Sequence, residues 1–247
     1  MDVETLRDRA LTFREKLLAR KEEIAPQDFA WYPDDTMANV WHLDGMLTGP
    51  RRAVFDSLAG TRIADIGAAD GDLGFFLESE LGCQVDLIDN PPTNYNGLRG
   101  ARRLTAELPS TAGVYETDLD AQFRLPAERY RAVLLLGLLY HLKNPFFVLE
   151  RLARHAELCF LSTRVAQLAP DGTPLRDRPV AYLVDPAEAD GDATNFWIFS
   201  EAGLRRLVDR TGWEVLDFHR VGCLQDSEPA RDDRDERAFA LLRSRHC

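Results

Sequence analysis

Apolar residues recur along this chain with two different periods. Over residues 3–24, Leu6, Ala10, Phe13, Leu17 and Leu18 fall at helical spacing among charged side chains, which predicts an amphipathic helix ending before Pro26. From Arg62 onward short apolar runs alternate with helical segments. Residues 63–66, 84–88, 113–117, 132–136 and 157–161 read as strands, and 73–79, 95–108 and 145–155 as helices. Ser200 followed by Glu201 reads as an N-cap opening a helix to about Arg210, stopped at Gly212. Residues 213–221 and 238–242 then read as two closing strands joined by a charged loop, 225–236. Short apolar strands alternating with helices predict a doubly wound α/β fold, Rossmann-like, with a seven-stranded, mostly parallel sheet covered on both faces.

Two stretches stand outside this alternation. Phe29, Trp31, Tyr32, Trp41 and His42 form an aromatic segment closing near Gly49-Pro50, so residues 1–50 read as an N-terminal helix and aromatic cap on a domain of residues 51–247. Residues 169–195, rich in Pro, Asp and Gly, form a loop long enough to be a functional lid, and this is the region expected to set substrate identity.

Charge narrows the partners. The formal net charge is −11, which disfavours a nucleic-acid backbone as the main ligand; Arg51-Arg52 and residues 99–103 are the only candidate basic patches, and each also reads as a solvated helix face. The longest apolar run, residues 132–140, falls far short of the roughly 20 residues of a bilayer span, so no membrane is implied. The N-terminus lacks the apolar core of a signal peptide, and the expected location is cytoplasmic. Cys83, Cys159, Cys223 and Cys247 are dispersed, which points to neither a disulfide framework nor a metal site.

The chemistry concentrates in Ile63-Ala64-Asp65-Ile66-Gly67-Ala68-Ala69-Asp70-Gly71-Asp72-Leu73-Gly74, a strand running into a glycine-rich turn that opens a helix. In a doubly wound sheet such a turn lies beyond the carboxyl ends of the strands, where ligands bind. Ala69-x-Gly71-x-x-Gly74 fits a dinucleotide fingerprint loosely, with Asp89 as ribose ligand, but Asp70 and Asp72 oppose a pyrophosphate there. A cofactor carrying a sulfonium and an ammonium, S-adenosylmethionine (SAM), suits those carboxylates better. Asp89, 24 positions after Asp65, ends the second strand, where a carboxylate can accept from a ribose diol; Asn90 follows it. Asp118 and Leu119 follow the third strand, suited to an adenine amino group and ring. Each carboxylate alone also reads as a turn or cap residue. The fourth strand ends in Gly137, where the chain can approach a cofactor closely, and then Tyr140 and His141.

These residues resemble the class I SAM-dependent methyltransferases over about residues 62–242. Trp31-Tyr32-Pro33, Trp41-His42-Leu43-Asp44-Gly45, the turn at 65–71, Leu139-Tyr140-His141 and Asn195-Phe196-Trp197-Ile198-Phe199-Ser200 look like the group related to the tRNA wobble-uridine methyl- and carboxymethyltransferases. The resemblance implies SAM contacts at Gly67, Asp89 and Asp118. The carboxymethyl enzymes hold the extra carboxylate of carboxy-SAM with cationic and phenolic groups; Tyr140 matches the phenolic position, and Arg164, Arg234 and Arg237 are candidates for the cation.

The cofactor-binding candidates are thus Asp65, Gly67, Ala68, Asp70, Gly71, Asp89, Asn90, Asp118, Leu119 and Gly137. His141 is the candidate general base, since an imidazole titrates near neutrality; alternatively its ring packs or bonds a backbone carbonyl. Tyr140 is either a cofactor or substrate contact or a half-buried aromatic. Trp31, Tyr32, Trp41 and Trp197 are candidate substrate walls or plain core, and Arg164 a candidate anion anchor or an ion-pair partner. The expected function is methyl transfer from SAM to a small molecule. The alternatives are a tRNA wobble-uridine modifier, an NAD(P)-dependent oxidoreductase, and a SAM-binding protein without turnover.

Overall fold

The computed structural model describes residues 5–246; residues 3 and 4 of the first expected helix, and Cys247, lie outside them. Its contacts gather into two compact units, Met1–Thr117 and Asp118–Cys247.

The first unit opens with α1 (Leu6–Ile24), started by a capping box in which Thr5 accepts from the Asp8 N–H and Asp8 accepts in return. It ends at Ala25 in a left-handed conformation, just before Pro26. Its buried stripe is Leu6, Ala10, Leu17 and Lys21, so one member is a cation. After α2 (Asn39–Met46) and α3 (Arg52–Asp56) come β1 (Arg62–Ile66), α4 (Asp72–Leu81), β2 (Gln84–Asp89), α5 (Arg99–Glu107) and β3 (Gly113–Glu116). The strands run parallel in the order β3-β2-β1, with Ile66 opposite Ile88 and Asp89 opposite Glu116. Ile63, Ala64, Ile66, Leu87 and Ile88 are all buried, which explains why β1 and β2 are mostly apolar rather than alternating, each with one buried carboxylate inside it, Asp65 and Asp86. Helix α5 begins at Arg99, not at Tyr95 as the periodicity suggests. Asn94 explains the difference: its side-chain oxygen accepts from the Asn96 and Leu98 N–H groups and holds a turn, with Leu98 at φ 65°.

The second unit contains β4 (Tyr130–Leu136), α6 (Pro145–Ala153), β5 (Ala156–Val165), β6 (Ala181–Leu183), β7 (Trp197–Phe199), α7 (Glu201–Arg210), β8 (Trp213–Gly222) and β9 (Glu236–Ser244). Strands β4, β5 and β7 pair in parallel, β6 runs antiparallel to β7, and β9 lies antiparallel between β5 and β8. The two units therefore hold nine strands among the described residues, where the pattern predicts seven. The two additions, β6 and β7, are three residues each, too short to show a period. Ser200 caps α7 as expected, its Oγ accepting from the Gly203 N–H at 2.9 Å. Among the described residues no helix is long and apolar enough to cross a membrane.

Candidate functional site

In the first unit the site is built from the turn after β1. Gly67, Ala69 and Gly71 all have positive φ, at 75°, 52° and 87°. At Ala69 this costs about 1 kcal/mol, so something must hold the turn. The Gly67 N–H is fixed on the Ile88 carbonyl at 2.9 Å, and the Ala69 N–H donates to Asp89 Oδ2 at 3.0 Å. Gly71 caps α4, and a Cβ there would lie 2.6 Å from Leu87 Cδ1. Asp89 also accepts from the Asn90 N–H (2.7 Å) and from Asn94 Nδ2 (2.9 Å). Three of its roughly four lone-pair sites are thus filled within the protein, leaving one, on Oδ1, for a ligand hydroxyl. Burial raises the Asp89 carboxyl above its ordinary range, against the pull of those three donors. Asp65 lies beneath the turn: it is buried and accepts from the Gly74 N–H at 3.1 Å, so it anchors α4. Burial pushes its carboxyl up to about 7, and the nearby charges of Asp89 and Asp72 add to the shift.

The loop carboxylates behave differently from the sequence expectation. Asp70 and Asp72 already meet a cation within the protein, Lys21, at 3.3 Å and 2.8 Å. Asp70 is buried and also takes the Tyr32 N–H and Asn96 Nδ2, each at 2.8 Å. It is therefore a fastening for the turn, not a free cofactor ligand. The signal for Lys21 was in the sequence, as a lysine continuing the apolar stripe of α1.

In the second unit Asp118 is exposed and its side chain closes a local turn onto the N–H groups of Asp120 (3.0 Å) and Ala121 (3.2 Å), with Leu119 buried beside it. After β4, Gly137 takes φ 79° and its N–H donates to the Ser162 carbonyl at 3.1 Å. A single 3₁₀ turn, Leu139–His141, then presents Tyr140 and His141, whose rings lie 4.2 Å apart. His141 Nδ1 is 3.1 Å from the Thr194 carbonyl and 3.0 Å from Thr194 Oγ1. Thr194 Oγ1 donates its own proton to Asp192 at 2.7 Å, so both oxygens facing Nδ1 are acceptors. The proton therefore sits on Nδ1, and Nε2 carries the lone pair. Burial lowers the His141 pKa, although Thr194 and Asp192 pull the other way. The imidazole is neutral and correctly tautomerised to accept a proton at Nε2.

Arg237 Nη1 is 3.5 Å from the Tyr140 hydroxyl, and its guanidinium stands over the Tyr140 ring at 5.7 Å. Arg164, a candidate anion anchor or ion-pair partner, is buried and paired with Asp235 at 2.6 Å; Arg237 shares that carboxylate at 3.2 Å. Arg234 turns away to Asp226. The aromatic candidates have different surroundings within each unit. Trp31 and Tyr32 line a cavity of about 540 Å³ in the first unit, whereas Trp41 stacks under Arg7. Trp197 lines an open groove with Phe146 and Phe147, its Nε1 donating to the Lys143 carbonyl at 3.3 Å.

No family model matches this sequence, and no curated protein matches it. Solved structures do. The N-terminal domain of EvdMO1, crystallised in the presence of SAH and D-fucose, is similar over 94% of this chain and 97% of its own, with a TM-score of 0.62 at 20% identity. The [4+2]-cyclase SpnF matches over 97% of each chain with a TM-score of 0.57 at 11% identity. An S-adenosylmethionine-dependent methyltransferase from Mesorhizobium loti matches over 78% of this chain and 94% of its own, with a TM-score of 0.54 at 15% identity. These likenesses give the fold. It is a Rossmann-like α/β fold.

Proposed function

We propose that this chain is a SAM-dependent methyltransferase acting on a small-molecule acceptor. The observation that carries the reading is Asp89, held at the end of β2 against the Ala69 N–H of the glycine-rich turn with one acceptor site left over. That arrangement suits a ribose hydroxyl beside a turn whose glycines admit a ligand closely. The acidic-loop argument for SAM over a dinucleotide is weakened, since Lys21 offsets one of the two loop charges and Asp70 is turned inward. The choice of SAM rests on Asp89, on the resemblance of the motifs and on neighbours of this fold described with SAH or as methyltransferases.

Bound SAM would supply an activated methyl group on sulfur. The protein's part is to align the acceptor, exclude water and take up the acceptor's proton. His141 Nε2 is the group prepared for that proton. Its Nδ1–H, fixed on Thr194, sets the ring plane and keeps the lone pair on the opposite nitrogen. Tyr140, buried and contacted by Arg237, forms the neighbouring wall.

A second reading has one observation in its favour. The Tyr140 hydroxyl and Arg237 guanidinium together could receive a carboxylate, as carboxymethyl transfer to a wobble uridine in tRNA from carboxy-SAM would need. One titration separates the readings. SAM, SAH, carboxy-SAM and NADPH are titrated calorimetrically into the wild type and Asp89→Ala, followed by a mass-shift screen of acceptors. Micromolar binding of SAM and SAH, weakened about 10- to 100-fold by Asp89→Ala, supports the proposal. Tight binding of carboxy-SAM alone favours the second reading, and binding of NADPH alone sinks both. The acceptor screen is needed because SpnF shares the fold and is a cyclase.

A further inference from the structure

The Lys21 cluster has no part in the chemistry above, yet it ties the cofactor turn to a different part of the first unit. Lys21 Nζ lies 2.8 Å from Asp72 and 3.3 Å from Asp70. Asp70 accepts from the Tyr32 N–H and from Asn96 Nδ2, and that same amide nitrogen reaches the Ala30 carbonyl at 3.2 Å. Asn96 Oδ1 takes the Gly100 N–H at the start of α5, where a Cβ would lie 1.9 Å from Asp70 Oδ1. One side chain of the turn thus fastens α1, residues 30–32 and α5. Trp31 completes the assembly: its Nε1 donates to the Lys21 carbonyl at 3.2 Å and its ring lies 5.3 Å from Lys21 Nζ. Trp31 and Tyr32 face the 540 Å³ cavity together with Leu17, Leu18 and Pro33, and Asp72 from the turn lines it too.

We propose that Lys21 and Asp70 are positioning residues that couple the glycine-rich turn to the Trp31–Tyr32 wall of this cavity, so that the adenosyl ligand and a small molecule in the cavity bind cooperatively. The inference rests on the methyltransferase reading for what occupies the turn. Its physical basis is that Asp70 has no slack. A ligand that restricts the turn around Ala69 restricts the Asp70 carboxylate, and with it the backbone of residues 30–32. Whatever one site gains from the other's order is returned in equal measure, because coupling is reciprocal. Lys21 lies against two neighbouring carboxylates, and without it they repel and strain the turn.

Hydrogen exchange tests this directly. Adding SAH to the wild type is expected to slow exchange across residues 29–33 about 5- to 10-fold, the Tyr32 amide above all. Lys21→Met is expected to bind SAH about 10-fold more weakly and to lose that response. Lys21→Arg should keep it, and Lys21→Met combined with Asp72→Asn should recover part of the affinity. Asn96→Ala, which cuts one bond to Asp70, carries the same expectation should Lys21→Met fail to fold. Unchanged exchange in the SAH-bound wild type, or wild-type affinity in a folded Lys21→Met, overturns the proposal. If the wild type binds no SAH, the methyltransferase reading falls and the cooperative proposal with it. The fastening alone is then read from ligand-free protein, where Lys21→Met must expose the Tyr32 amide.

Discussion

At the scale of single residues, function turns on protons held in unusual places. Because the His141 pKa is lowered by burial, its basic form dominates at neutral pH. Methyl transfer to a protic acceptor is therefore expected to be level above pH 7 and to fall as pH drops through a midpoint below 6.5. His141→Gln should reduce kcat by about 10²- to 10⁴-fold with little change in SAH affinity; an unchanged rate would reduce His141 to a packing residue. Asp65 works in the opposite direction. Its carboxyl is raised to about 7 in the folded chain, so the native state binds more protons than the unfolded one between about pH 4 and 7. The stability it contributes is full below the unfolded value and is lost as pH climbs through 7. Urea unfolding at pH 5, 6, 7 and 8 should show that decline in the wild type and a flatter profile in Asp65→Asn.

At the scale of elements, what could be read from sequence depended on length and on local competition. The strands β1, β2, β4 and β5 were legible because residues buried on both faces leave mostly apolar runs, unbroken in β4 over residues 132–136. Strands β6 and β7 were not, since three residues show no period and their pairing is decided by residues far along the chain. The start of α5 was misplaced because Asn94 and Asn96 compete for backbone N–H groups that a helix would otherwise use. The turn after β1 and the ends of β2 and β4 were found by residue type and order. The partners that hold them, Lys21, Asn94, Asn96 and Thr194, are ordinary polar residues distant in sequence, and only the fold brings them in. Ser200 was legible as a cap and carries more than a cap: its hydroxyl also donates to the Arg178 carbonyl. Ser200→Ala should cost about 1–2 kcal/mol in chemical denaturation, and a loss under about 0.5 kcal/mol would show that the cap is dispensable.

For the whole molecule, charge is the property that bears most on partner choice. The net charge is −11, and the arginines of the 99–103 cluster are spent internally: Arg102 on Glu116, Arg103 on Glu107 at 3.0 Å, with Arg99 3.9 Å from Asp28. Binding of unfractionated tRNA is expected to be undetectable below about 10 µM at physiological ionic strength, as an electrophoretic shift or anisotropy titration would show. Saturable binding in the nanomolar range would revive the tRNA reading. The His141–Thr194 contact also reaches beyond catalysis. Thr194 and Asp192 belong to the 169–195 stretch expected to choose the substrate, while the next residues tie down Tyr140, whose carbonyl takes the Phe196 N–H at 2.8 Å. On the proposed reading, selectivity and proton transfer are therefore written into the same run of chain. On that reading, a loop grafted from a relative to change the acceptor would also disturb the proposed base, unless the graft keeps the carbonyl of residue 194 beside Nδ1.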